Sequence, residues 1–250
     1  METTELSLNA SLIVRILWVL TFFFVLASVG TQVTAHLSGH HSMFGLVRLF
    51  DLDDESNIPT VFTTLLHFFA ASLLLLITLV KRRESAIYAT HWGILAIGFF
   101  YLGFDEGASI HEMFIHPMRT LLQKPNLGLL YYAWVIPAFI VVCIIGVCFK
   151  NFLSYLPKKT RFLFVSAGLV FVGGAVGMEA IEGHFHELYG EKNLVNVVLS
   201  TIEEWMEMAG IVTFIWALLM YISDHYQNVN IKFIYAKSVA RKSEARSFSH

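Results

Sequence analysis

The sequence predicts an all-α fold, a polytopic membrane bundle of six transmembrane helices with both termini cytoplasmic. Three observations predict it. The 250 residues are 56% hydrophobic and 14% charged, against about 25% charged in soluble domains. The apolar residues gather into six runs, each near the roughly 20 residues that span a bilayer core. The basic residues gather at alternate ends of those runs, which orients them.

The first run, Ser11–Thr34, follows the acidic Glu2 and Glu5. It is too long for the apolar part of a signal peptide and no small-residue cleavage site follows it, so it is expected to be the first span. A His-rich segment, His36 to His41, leads to the short apolar stretch Met43–Phe50, expected to lie flat at the interface. The acidic run Asp51–Glu55 lacks the central Gly and the closing Glu of a calcium loop and is read as a solvated loop. Pro59 suits the first turn of the second span, Pro59–Val80. The link Lys81–Glu84 is so short that the third span, Ala86–Phe114, is expected to run antiparallel beside the second. No turn residue appears before Pro117, so this third helix is expected to continue through His116. The fourth, fifth and sixth spans are expected at Leu127–Phe149, Phe162–His184 and Val195–Ile222. Residues 1–223 form one domain, and 224–250 a basic cytoplasmic tail. Cys143 and Cys148 share one apolar run and serve as small apolar filler.

All Lys and Arg except Arg48, Arg119, Lys124 and Lys192 fall at one end of the spans, which is expected to be the cytoplasmic end. The other end collects most of the acids and histidines, which played no part in setting the orientation. On a continuous third helix, Asp105, Ser109, Glu112 and His116 form one stripe. Glu106 and His111 lie off it. In the fifth span, Glu179, Glu182 and His186 form another stripe, and Gly173 and Gly177 make a small-xxx-small pair that admits a close neighbour. In the sixth, Glu203 and Glu207 are one turn apart. Glu203 and Glu204 also fit capping boxes with Ser200 and Thr201. Glu187 and Glu191 are read as loop residues. His67 on the second span and His36 at the end of the first reach the same depth.

Unpaired carboxylates sharing a low-dielectric layer must hold protons or a cation. Carboxylate and imidazole on facing helices are how bundles build metal sites. Oxygen and nitrogen donors without thiolate suit iron, manganese or zinc, as one ion or two. The expected ligands are Asp105, Glu112, His116, Glu179, Glu182, His186, Glu203 and Glu207, with His36, His67, Glu106 and His111 as further candidates. No Walker loop, dinucleotide fingerprint, nucleophile elbow or nucleic-acid patch is visible, so nucleic-acid partners are not expected.

The stretch Phe50-Asp51-Leu52-Asp53-Asp54-Glu55-Ser56-Asn57-Ile58-Pro59-Thr60-Val61-Phe62, with Asp105-Glu106 and His111-Glu112, resembles a family of bacterial multi-pass membrane proteins. The resemblance implies a bacterial inner-membrane location and no particular activity. In residue types the acids and histidines are also similar to membrane di-iron carboxylate enzymes. Where those carry Glu-x-x-His, this chain has Glu112-x-x-x-His116 and Glu182-x-x-x-His186.

These features together lead to the expectation of a metal-dependent membrane enzyme, an oxidoreductase or hydrolase acting on a lipid-like substrate, with its site at the non-cytoplasmic end. A cation- or proton-coupled carrier using the same acids is the alternative. Inverted repeats or broken helices would favour the carrier, and the sequence displays neither. An accessory subunit of a membrane complex, its polar layer holding partner helices, is the third reading.

Overall fold

The computed structural model describes residues 9–38, 43–54, 56–124, 126–190 and 193–226, and among them it holds helices and turns but no strand. The long helices are α1 (Ala10–Ser38), α3 (Ile58–Arg83), α4 (Ala89–Ala108), α6 (Val135–Tyr155), α7 (Lys158–Val172), α8 (Glu179–Tyr189) and α9 (Leu194–His225). Two short helices, α2 (Leu46–Phe50) and α5 (Ile115–Leu122), occupy connections at the acid-rich end. Five rods are each long and apolar enough to cross a membrane: α1, α3, α6, α9 and the composite Lys158–Tyr189. A sixth span is counted when α4 and the bent segment His111–Leu122 are taken together. This is the architecture of a multi-pass integral membrane protein.

Helix α9 is the centre of the bundle, with α1, α3, α7 and α8 packed on it, while α3 and α4 form the most extensive pair, as their short link requires. The core runs through Leu66, Leu74, Ile77, Trp92, Phe152, Met208, Ile211, Ile215 and Leu218, all nearly inaccessible. Apolar side chains also cover the outside of α6, where Phe139, Ile144 and Val147 are exposed. In a lipid environment that surface needs no protein partner. Two buried hydroxyls of α3 return to their own helix, Thr63 to the Pro59 carbonyl at 3.2 Å and Thr78 to that of Leu74 at 2.7 Å. That is the usual way to satisfy a hydroxyl away from water.

Helix α9 is held close by glycines. A methyl group on Gly210 would lie 2.7 Å from the Phe171 Cβ and 2.8 Å from its backbone nitrogen, so α7 and α9 touch backbone to side-chain root there. Nearer the acid-rich end, a Cβ on Gly174 would sit 2.9 Å from the Glu203 carbonyl oxygen. The expected pair Gly173 and Gly177 is corrected in its second member: a Cβ on Gly173 would meet the Met206 Cε of α9 at 3.0 Å, whereas Gly177 faces open space and the approach to the α9 backbone falls at Gly174. The cause is a turn of π-helix, Gly173–Met178, which inserts a residue and rotates the helix beyond it.

The expected continuous third helix is also corrected. Helix α4 stops at Ala108, Ser109 takes a left-handed conformation (φ 50°), and a 3₁₀ turn His111–Phe114 leads into α5. The direction changes by 81°. Gly107 and Ser109 are the local signal, since Gly weakens a helix and Ser competes for its backbone hydrogen bonds. The fourth span begins at Val135, later than expected, because residues 126–134 are irregular apart from the 3₁₀ turn Gly128–Leu130. Helix α9 begins at Leu194 under an Asn193 cap that accepts from Val195 and Asn196 nitrogens. Ser200 and Thr201 are thus inside the helix, with the Thr201 hydroxyl on the Val197 carbonyl at 2.6 Å, so the capping boxes expected for Glu203 and Glu204 do not form. Met43–Phe50 is a 3₁₀ turn followed by α2, packed against α1. His40, His41, Glu55, Glu191 and the tail from 227 lie outside the described residues.

Candidate functional site

At the acid-rich end, four segments converge: the loop before α3, the end of α4, the segment ahead of α6, and the α8–α9 pair. The loop is built by Asn57. Its side-chain amide donates to the carbonyls of Arg48, Asp51 and Asp54, and its oxygen caps α3 by accepting from the Thr60 nitrogen at 3.1 Å. Gln32 of α1 ties in by donating to Asp51 at 2.7 Å. Within the acidic run expected to be a solvated loop, residues 51–54 are therefore held in place, with Asp53 exposed as expected of a loop and close enough to act electrostatically on Tyr132 and Glu182.

The centre of the site is a carboxyl cluster. Glu203, 7% exposed, is in hydrogen-bond contact with Glu179 and with Glu182, itself 6% exposed. The Glu203 Oε2 is buried and has no donor among the described residues. Glu207 is half-buried one turn further along α9 and senses Glu179, Glu106 and Asp105. Glu204 senses Glu106 and Glu207. Glu106 thus faces α9, and Glu204, for which a capping box was one reading, joins the cluster.

The remaining expected ligands divide. Asp105 belongs to the bend: its carboxylate accepts from the His111 backbone nitrogen at 2.8 Å and lies 3.2 Å from His111 Nδ1. Trp134 connects this bend to the cluster. Its ring centroid is 4.6 Å from that of His111, and its indole N–H donates to Glu179 Oε1 at 3.0 Å. Glu112 and His116 are corrected: the bend carries both off the Asp105 stripe to exposed positions on a cavity of about 420 Å³. His186 lines the same cavity, with its Nδ1 2.9 Å from the Tyr132 hydroxyl and its ring stacked on Tyr131. His186 accordingly pairs with Tyr132, despite sharing the α8 stripe with Glu182. Burial, then the charges of Glu182, Glu179 and Asp53, push the Tyr132 phenol up, so it keeps its proton and donates to His186.

His67 is 1% exposed, its Nδ1 on the Thr63 carbonyl at 3.0 Å and its Nε2 without a partner among the described residues. It packs between Phe99 and Phe171, beneath the acids. His36 is exposed at the end of α1. Glu187, expected in a loop, is on α8 and accepts from the nitrogens of Leu127 and Gly128 at 2.9 and 2.7 Å, which fixes the segment ahead of α6. Among the described residues, no three of His, Cys, Asp and Glu converge in a metal-ligating arrangement.

A family model described as Domain of unknown function (DUF8692) matches residues 10–222. The chain belongs to this family. The match takes in all the spans and every residue of the cluster, so the family is defined over the whole bundle rather than over one motif. Its description assigns no chemistry. No curated protein and no solved structure matches the chain significantly. The chemical reading therefore rests on the geometry. Trp134, Tyr132 and Glu204 are the site residues that sequence reasoning missed. The first two come from an aromatic-rich segment that reads as membrane-interface filler.

Proposed function

We propose that this member of the family is a proton- or cation-coupled membrane carrier whose working group is the cluster Glu179, Glu182, Glu203 and Glu207. One observation carries the reading: Glu203 touches two other carboxyl groups while its own buried Oε2 lacks a donor among the described residues. Two ionised carboxylates cannot remain in contact in a low-dielectric layer, so a proton or a cation must lie between them. A group that must take up or release such a charge to change its neighbours' repulsion is what a coupled carrier requires. The broken helices strengthen the reading. The 81° bend after α4 and the π turn ahead of Glu179 both lie beside the cluster, where discontinuous helices expose backbone groups and provide hinges.

The metal-dependent enzyme uses the same four acids. The oxygen-rich donor set favours it, with iron, manganese or zinc as the fitting ions. One set of measurements separates the two readings. Purified protein in lipid nanodiscs is assayed for bound metal and for protons released when Na⁺, K⁺, Mg²⁺ or Mn²⁺ is added at fixed pH. The carrier reading expects reversible proton release or uptake with no tightly bound metal, and its loss in Glu203→Gln. Stoichiometric iron, manganese or zinc that survives purification and disappears in Glu203→Gln would transfer the site to metal chemistry. A titration identical in wild type and Glu203→Gln, with no metal, would overturn both. We further propose that the cluster lies at the non-cytoplasmic end of a bacterial inner-membrane protein, on the strength of the Lys and Arg distribution.

A further inference from the structure

The cavity beside the cluster carries chemistry that the carboxyl groups do not use. It is lined by Glu112, Met113, His116, Arg119, Tyr132 and His186 among others, and its volume of about 420 Å³ is in the range of small-molecule sites. Its polar groups are held in place before any ligand arrives. The Arg119 guanidinium lies 3.9 Å over the Tyr131 ring, and its Nε donates to the Tyr131 carbonyl at 2.8 Å. His186 stacks on the same ring with centroids 4.8 Å apart, and its Nδ1 accepts from Tyr132. These contacts use Nε and Nδ1. They leave the two terminal amino groups of Arg119 and the Nε2 of His186 for whatever enters, with the His116 ring on the same wall. A guanidinium packed on an aromatic ring has already lost most of its rotamer freedom, which favours bidentate recognition of a carboxylate or phosphate.

The surroundings specify the rest of the ligand. Met113 and Ile115 belong to the lining, and Met113 is 72% exposed. These apolar side chains stand beside the polar groups at the end of a membrane bundle, where a water-soluble anion would find no use for them and an acyl chain would. We infer that this cavity binds the anionic headgroup of an amphiphile, with Arg119 and His186 as its donors and the apolar rim against its chain. Glu112 is the one acid in the lining among the described residues, and its carboxylate opposes the bound anion.

The test uses the full chain in a neutral detergent and three probes: dihexanoyl phosphatidic acid, dihexanoyl phosphatidylcholine and inorganic phosphate. The phosphatidic acid is expected to bind saturably and about tenfold or more tighter than the phosphatidylcholine. Arg119→Gln should abolish that preference, and Arg119→Lys should retain only part of it, because an ammonium keeps the charge and loses the fork. Glu112→Gln should tighten phosphatidic acid binding several-fold by removing a like charge. Glu112 is exposed, so this variant remains folded and keeps the proposal testable if Arg119→Gln does not. Inorganic phosphate binding as tightly as phosphatidic acid would assign the pocket to a soluble anion and overturn the amphiphile. Equal binding of both lipids, or weaker binding in Glu112→Gln, would overturn the anion site altogether. Proton release by the carboxyl cluster is a separate measurement, so either proposal can fail alone.

Discussion

Glu203 and Asn57 show how much a single polar side chain decides in this protein. Glu203 meets acceptors where it needs a donor. An amide of the same shape supplies one, so Glu203→Gln is expected to unfold no more easily than wild type while losing proton exchange, as read by thermal unfolding alongside the titration. Loss of stability by about 2 kcal/mol or more in that variant would mean that the carboxyl is ionised and compensated by a bound cation. Asn57 has the opposite character, with every polar atom engaged. Asn57→Ala removes a helix cap and leaves the Asp51 and Asp54 carbonyls without their donor, and the expected loss is about 2–3 kcal/mol in reversible unfolding. Trp134→Phe keeps the contact with the His111 ring and removes only the N–H to Glu179. It should lower stability by about 1 kcal/mol and shift the pH of proton release, whereas a purely packing role would leave that pH unchanged.

At the scale of elements, the site depends on where helices break and touch. The π turn sets the rotation of α8, and the bend at Ser109 takes Glu112 and His116 away from Asp105. The α7–α9 crossing at Gly210 sets the depth of α9 and so the level of Glu203 and Glu207. Gly210→Val should push these helices apart, with a loss of about 1–3 kcal/mol from overpacking and a weakened proton titration, although the residue touches no acid. Gly146→Ala in α6 is the matched control: a Cβ there meets nothing within 4 Å, so stability should be unchanged or slightly raised.

The whole molecule has a polar end and a basic end, and its orientation is open to direct measurement. In a background with Cys143 and Cys148 replaced by Ala, a cysteine at Gly190 should react with a membrane-impermeant reagent on the outside of intact cells, and one at Ser85 should not. The reverse pattern would invert the bundle and place the carboxyl cluster on the cytoplasmic side.

The sequence by itself determined the class of fold, the approximate limits of most spans, and the clustering of acids at one end. Those come from composition and period, which the bilayer imposes on each segment separately: apolar length from Ala10 to Ser38 or Leu194 to His225 is a local property. The α8 stripe up to Glu182 was legible in the same way, because a helix keeps its period wherever it remains a helix. The tertiary structure decided which acids meet. A one-residue π insertion and a single left-handed Ser109 each redirect everything beyond them, and neither leaves a periodic trace. Trp134 and Tyr132 reach Glu179 and His186 from positions 45 and 54 residues away in the chain. Such partners are chosen by the packing of α8 and the segment before α6 against one another, an energy shared between distant segments and therefore absent from either one alone.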